Sequence, residues 1–111
     1  PLLRIDGKIQ RVAVDEIVYC EAEGKTQYLY LSNGEQYGLR RTMAEIYGKL
    51  SCYPEFSRVG VAYIVNLVHV VSLNAQEVQM DTGKKIYLPR GSYQPLRKKY
   101  FEYYFGDSEV L

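Results

Sequence analysis

At 111 residues the chain has the length of one domain, long enough to bury a core. Its hydrophobic fraction of 47% is ordinary, and twelve tyrosines without a tryptophan supply rings whose polar ends suit half-buried sheet faces. Fourteen basic residues against thirteen acidic ones leave a formal net charge of +1, which excludes a uniformly basic nucleic-acid binder, so any affinity for a polyanion has to come from a local patch.

Apolar and polar residues alternate through most of the chain, the signature of half-buried strands. Leu3-Arg4-Ile5 and the run from Ile9 to Val14 read as the first two, separated by the turn residues Asp6-Gly7. Ile17-Val18-Tyr19-Cys20-Glu21-Ala22 is more continuously apolar, as a strand covered on both faces should be. Tyr28 to Leu31 alternates again and leads to Asn33-Gly34, a hairpin turn in which both residues tolerate positive φ. Thr42-Met43-Ala44-Glu45 then has the form of a capping box, and Met43, Ile46, Tyr47 and Leu50 recur at helical spacing, which predicts a short helix from Thr42 to Leu50.

Further strands are predicted over Val59 to Val65, Val68 to Leu73, Glu77 to Met80 and Lys85 to Leu88, with Asp81-Thr82-Gly83 as a turn. Ser92 is placed to cap a second helix in which Pro95 falls in the first turn, where backbone donors lack partners anyway. Leu96, Tyr100, Tyr103 and Tyr104 would share one side of it. Short strands, tight turns and two small helices predict a mainly β, mostly antiparallel domain.

The chemistry-bearing residues offer little to an enzyme. Cys20 and Cys52 have no metal-ligand or redox spacing and read as buried reduced thiols. His69, the one histidine, has no Cys, Asp or second His at ligand spacing, and an exposed, non-catalytic side chain is expected. Asp15, Glu16, Glu21 and Glu23 crowd one stretch with no base or nucleophile to serve, as a solvated acidic edge would. With no nucleophile elbow and no phosphate-cradling loop, neither catalysis, nor a cofactor, nor a metal is expected. No leader and no apolar run of membrane-spanning length is present, so a soluble, cytoplasmic chain is expected, and its start at Pro1 reads as a cut from a longer protein. Basic residues gather at Arg40-Arg41, at Lys84-Lys85 with Arg90, and at Arg97-Lys98-Lys99, each of which on composition alone could be an ordinary solvated face.

Four segments, in order, resemble one family. Asp15-Glu16-Ile17-Val18-Tyr19-Cys20-Glu21-Ala22, Arg41-Thr42-Met43-Ala44-Glu45-Ile46, Phe56-Ser57-Arg58-Val59 with Tyr63-Ile64-Val65-Asn66, and Ile86-Tyr87-Leu88-Pro89-Arg90 followed by Leu96-Arg97 are similar to the motifs of the LytTR DNA-binding domains. The resemblance implies an elongated arrangement of small antiparallel sheets with the helices at the side, and loops inserted in successive major grooves of double-stranded DNA. It also implies the output end of a bacterial response regulator, with an upstream receiver domain and two copies bound on direct-repeat sites.

Carried over by position, the first reading loop is Glu23-Gly24-Lys25-Thr26-Gln27, with Gln27 as a base reader and Lys25 and Thr26 on phosphates; on composition alone it is the polar loop of a hairpin. Arg58 would hold a phosphate. Arg90 would present its guanidinium to a guanine edge, where the alternative is a surface arginine packed on Tyr93. The central turn departs from the family, which usually has His-Arg-Ser where this chain has Gly60-Val61-Ala62. Val61 could still meet a thymine methyl, and an apolar turn also fits a rival expectation, a protein-interaction module on the same framework with degenerate DNA contacts. Asn66, despite its conspicuous place, is expected to satisfy local backbone groups.

Overall fold

The fold was obtained as a computed structural model, which describes residues 2–3 and 9–106. The expected turn at Asp6-Gly7 and most of the strand beginning at Leu3 lie outside those residues. What remains of the first pair is β1 (Leu2–Leu3) antiparallel to β2 (Val12–Ala13). The expected strand from Ile9 to Val14 is thus cut to two residues, because Val14–Glu16 winds into a 3-10 turn that drops Val14 into the core.

The body is a five-stranded antiparallel sheet. Its members are β3 (Ile17–Glu23), β4 (Thr26–Leu31), β5 (Gln36–Leu39), β6 (Phe56–Val59) and β7 (Tyr63–Asn66), in the order β5-β4-β3-β7-β6. The continuous apolar run of β3 is explained by its central place, paired with β4 on one side and β7 on the other. Ile17 and Cys20 enter one core while Val18 and Tyr19 enter a second, and Ile64 and Val65 of β7 divide in the same way.

Helix α1 (Met43–Leu50) covers the first core with Met43, Ile46 and Leu50. The capping box is present as the spacing predicts: Glu45 N–H donates to Thr42 Oγ1 (3.1 Å), and Thr42 N–H donates to Glu45 Oε1 (3.0 Å). The second core lies between the large sheet and a three-stranded sheet of β8 (Val70–Leu73), β9 (Glu77–Met80) and β10 (Lys85–Tyr87), closed by α2 (Tyr93–Phe105) through Leu96, Tyr100 and Tyr103. Cores on both faces and extents of 47 × 28 × 24 Å give the elongated form that the resemblance implies.

Several local expectations are corrected. The strand expected over Val59 to Val65 is a hairpin broken at residues 60–62, where Gly60 takes φ 59°. In the β4–β5 turn only Gly34 has positive φ, while Asn33 Oδ1 accepts from Glu35 N–H (2.9 Å), so the amide shapes the turn without entering the left-handed region. Ser92 stands at the N-cap of α2 with helical φ and ψ and makes no capping hydrogen bond. Residues Leu67–His69 form a 3-10 turn, so the following strand begins at Val70, two residues later than Val68.

Cys20 is buried, and that burial pushes its thiol up to about 12, whereas Cys52 is exposed at the end of α1. Asn66 is fully buried. Its amide donates to the Ile17 carbonyl (2.8 Å) and its Oδ1 accepts from Val68 N–H (3.0 Å), so it serves a local group as expected and a strand far away in sequence as well. His69 is not the exposed side chain expected. Its Nε2 donates to the Asp15 carbonyl (2.6 Å) and its Nδ1 lies 2.6 Å from Asp81 Oδ2, which ties the turn before β3 to the turn after β9.

Candidate nucleic-acid interface

Three connections meet at one end of the five-stranded sheet. Strand β3 runs out to Glu23 while β7 enters opposite it at Tyr63, so the β3–β4 tip and the β6–β7 turn necessarily share that end. The Ala22 N–H donates to the Ala62 carbonyl (2.8 Å), extending the β3–β7 pairing into the turn. The third connection, from β10 to α2, is laid against the second through Pro89: a Cβ on Gly60 would sit 2.8 Å from Pro89 Cγ.

The hairpin tip is tighter than the expected five-residue loop. Thr26 and Gln27 already belong to β4, and only Gly24 and Lys25 connect the strands, with Gly24 at φ 63° as a primed two-residue turn requires. Lys25 is exposed at the tip. Thr26 and Gln27 are half-buried, and Gln27 is flanked by Ala22 on one neighbouring strand and Leu39 on the other.

In the central turn Val61 is 84% exposed, standing clear of the protein with no polar side chain on either side of it. Arg58 lies behind it, half-buried. Its Nη2 donates to the Val61 carbonyl (3.4 Å), while its Nε is buried and has no hydrogen-bond partner among the described residues. Arg90 occupies the corner of a tight turn closed by Ser92 N–H donating to the Pro89 carbonyl (3.0 Å), with Gly91 at φ 84°. Arg90 is exposed.

Asp15, Glu16 and Glu23 are exposed, as the expected solvated edge requires, while Glu21 is half-buried, and Glu21 and Glu23 are both held by phenols. Tyr63 donates from its hydroxyl to Glu21 Oε2 (2.9 Å), and Tyr30 donates to Glu23 Oε2. Lys84 Nζ lies 3.4 Å from Glu21 Oε1 and 5.7 Å from the centre of the Tyr19 ring, which stacks on Tyr30 at 4.5 Å. Burial, with the hydrogen bond to Glu21 next, pushes the Tyr63 phenol up to about 12; burial, with the nearby Glu21 charge next, raises Tyr19 to about 12. The Tyr30 phenol is held up mainly by its bond to Glu23. Each of these carboxylates accepts a hydrogen bond from a phenol of a neighbouring strand, and the two-residue spacing of Tyr19, Glu21 and Glu23 puts all three on one face.

Sequence reasoning also missed a neighbour of the first loop. The β4–β5 hairpin returns the chain so that Leu39 pairs with Gln27, and Arg40, the next residue, lines the same concavity as Thr26. This concavity is open, about 550 Å³ in volume, and lined by Lys25, Thr26 and Gln27 on one side and by Arg40, Arg41 and Thr42 on the other. The available signal was the Asn33-Gly34 turn, which folds the Arg40-Arg41 pair back towards the tip. Among the described residues no group of three or more His, Cys, Asp or Glu is arranged to hold a metal ion, and no helix is long and apolar enough to cross a membrane.

Comparison with known proteins is consistent with this arrangement. The model of the LytTr DNA-binding domain family matches residues 7–101. A solved structure described as the LytTr DNA-binding domain of a methyl-accepting/DNA response regulator from Bacillus cereus superimposes with a TM-score of 0.74, covering 89% of this chain and 94% of that one. Sequence identity to it is 19%, so that likeness speaks for the fold. No curated protein matches the chain.

Proposed function

The chain belongs to the LytTR family of DNA-binding domains, and from that premise we propose that it is the sequence-reading output domain of a cytoplasmic bacterial transcriptional regulator. In this reading 1–111 is one domain of a longer response regulator, controlled by an upstream receiver domain, with two copies bound on direct-repeat DNA. Gln27 and Arg90 read base edges in successive major grooves, Val61 touches the duplex between them, and Lys25, Thr26 and Arg58 hold phosphates. Gln suits adenine N6 and N7, and a guanidinium fork suits guanine O6 and N7.

The observation that carries this reading is the convergence of the hairpin tip, the Val61 turn and the Arg90 corner at one end of the sheet. Base reading calls for side chains that project from a rigid frame: Arg90 is exposed on such a turn, as are Lys25 and Val61, while Gln27 stands half-buried at the start of β4. The exposed large hydrophobic side chain of the central turn is Val61, with Ala62 and Pro89 beside it. A protein-docking patch usually spans roughly a few hundred Å² of contiguous apolar area.

Selection of duplexes from random sequence, followed by binding across a series of salt concentrations, tests the reading. An enriched motif with affinity falling steeply as salt rises is expected. No enriched motif together with salt-insensitive binding would sink it.

A further inference from the structure

We propose that the concavity between the β3–β4 tip and the start of α1 is a phosphodiester-binding groove, with Arg40 as its principal cation and Arg41 and Lys25 in support. This deepens the DNA reading above and rests on it. The resemblance places the first loop on DNA through Lys25, Thr26 and Gln27, and the groove continues that surface directly, since those three residues form one of its walls.

The charge balance of the groove points to an anion. Its lining holds Lys25, Arg40 and Arg41 against a single carboxylate, Glu45, in a chain whose formal net charge is only +1. That carboxylate is engaged already: it accepts from Thr42 N–H in the capping box, and its Oε2 lies 3.9 Å from Arg41 Nη1. The Thr42 backbone bond holds the Glu45 carboxyl below its usual range, with the Thr42 side chain and then the Arg41 charge adding to the effect.

Arg40 is the exposed cation of the pair and follows directly on the last residue of β5, so its backbone is fixed by the sheet while its guanidinium reaches solvent. Gly38 also lines the groove. A Cβ there would meet Thr26 Cγ2 at 3.4 Å and Tyr28 Cε1 at 3.5 Å. An open, strand-supported basic concavity beside a reading loop matches the sugar-phosphate backbone flanking a groove contact, which fixes register and carries no sequence information. It lacks the enclosing apolar walls of a small-ligand site.

The test compares binding of the folded domain to its selected duplex and to a scrambled duplex of equal length across several salt concentrations. Arg40→Ala is expected to weaken both by the same factor, roughly three- to tenfold, and to reduce the slope of log affinity against log salt by about 0.9. Arg40→Lys should restore the slope. Unchanged affinity and slope in Arg40→Ala, while Arg90→Ala still loses the selected duplex, would overturn the groove and leave the reading intact. A loss confined to the selected duplex with an unchanged slope would also overturn it, since that is the behaviour of a base reader. If the wild-type domain neither selects a duplex nor responds to salt, the reading itself fails and the groove fails with it.

Discussion

Gly60 and Pro89 are packed so closely that a single added carbon would not fit between them: a Cβ on Gly60 would stand 2.8 Å from Pro89 Cγ. Gly60 also holds φ 59°, a region that side chains other than glycine enter at a cost. The central turn and the corner that carries Arg90 are therefore one packed unit, and the missing side chain at position 60 is what lets them close.

From this contact it follows that Gly60→His, which installs the residue the family usually has there, does not simply restore a polar reader. The imidazole is expected to push Pro89 aside and to strain the turn by about 1–3 kcal/mol. Lower thermal stability and weaker binding to the selected duplex are the expected readouts. Tighter specific binding with unchanged stability would show that the contact has no role in placing Arg90.

Arg90→Ala is expected to weaken binding to the selected duplex by more than about 1 kcal/mol while leaving the fold unchanged, since Arg90 is exposed and its turn is closed by backbone groups. Val61→Arg should strengthen binding to any duplex, because Val61 projects from the same end and the substitution adds a cation there. Anisotropy titrations of the two variants check both statements. If neither variant alters binding, the DNA face lies elsewhere on the molecule.

Asn66→Ala should destabilise the domain by about 2–4 kcal/mol. It strips partners from the Ile17 carbonyl and the Val68 N–H, both served by one fully buried amide. Urea unfolding measures the loss, and a change within about 0.5 kcal/mol would mean that water or neighbouring groups replace the amide.

Stability should also fall in alkali through the tyrosine cluster. The phenols of Tyr19 and Tyr63 are raised to about 12, above the ordinary value of about 10, so the folded state favours their protonated form. Their contribution is full below about pH 10 and is lost as pH climbs towards 12, because the unfolded chain ionises first. Glu21→Gln should bring Tyr63 down only part of the way, burial being the larger cause. Denaturant midpoints and tyrosinate absorbance across this range would contradict the account if stability held steady while the phenols ionised near their ordinary value.

The strands, both helices and the cap of α1 were largely legible because each rests on local chemistry: alternation in β4 and β9, the reciprocal Thr42–Glu45 bonds, and Pro95 in the first turn of α2. The exceptions are places where distant residues decide. His69 looked solitary because its partners, the Asp15 carbonyl and Asp81, are brought to it by the fold. The phenol bonds of Glu21 and Glu23 were hidden because Tyr63 and Tyr30 arrive from other strands. The run from Val59 to Val65 looked like one strand because Gly60 and Ala62 do not interrupt an apolar pattern, although the left-handed φ of Gly60 reverses the chain. The resemblance gave the candidate site as residues in and beside three connections, of which Thr26, Gln27 and Arg58 belong to strands. Their gathering at one end depended on the β3–β7 register, which no local motif states, whereas the return of Arg40 towards the tip followed from the Asn33-Gly34 turn.

The bond from the Ala22 N–H to the Ala62 carbonyl has a thermodynamic consequence for association. Because it stitches the central turn to the strand that carries the hairpin tip, the backbone of both connections is ordered when the chain folds, before any duplex arrives. If Lys25 and Arg90 contact the duplex as proposed, the entropy lost on docking falls on such side chains, on the order of 0.5–1.5 kcal/mol for each one immobilised. In the proposed reading, encounter with DNA is then the meeting of a finished surface with its template, without coupled folding at that end of the sheet.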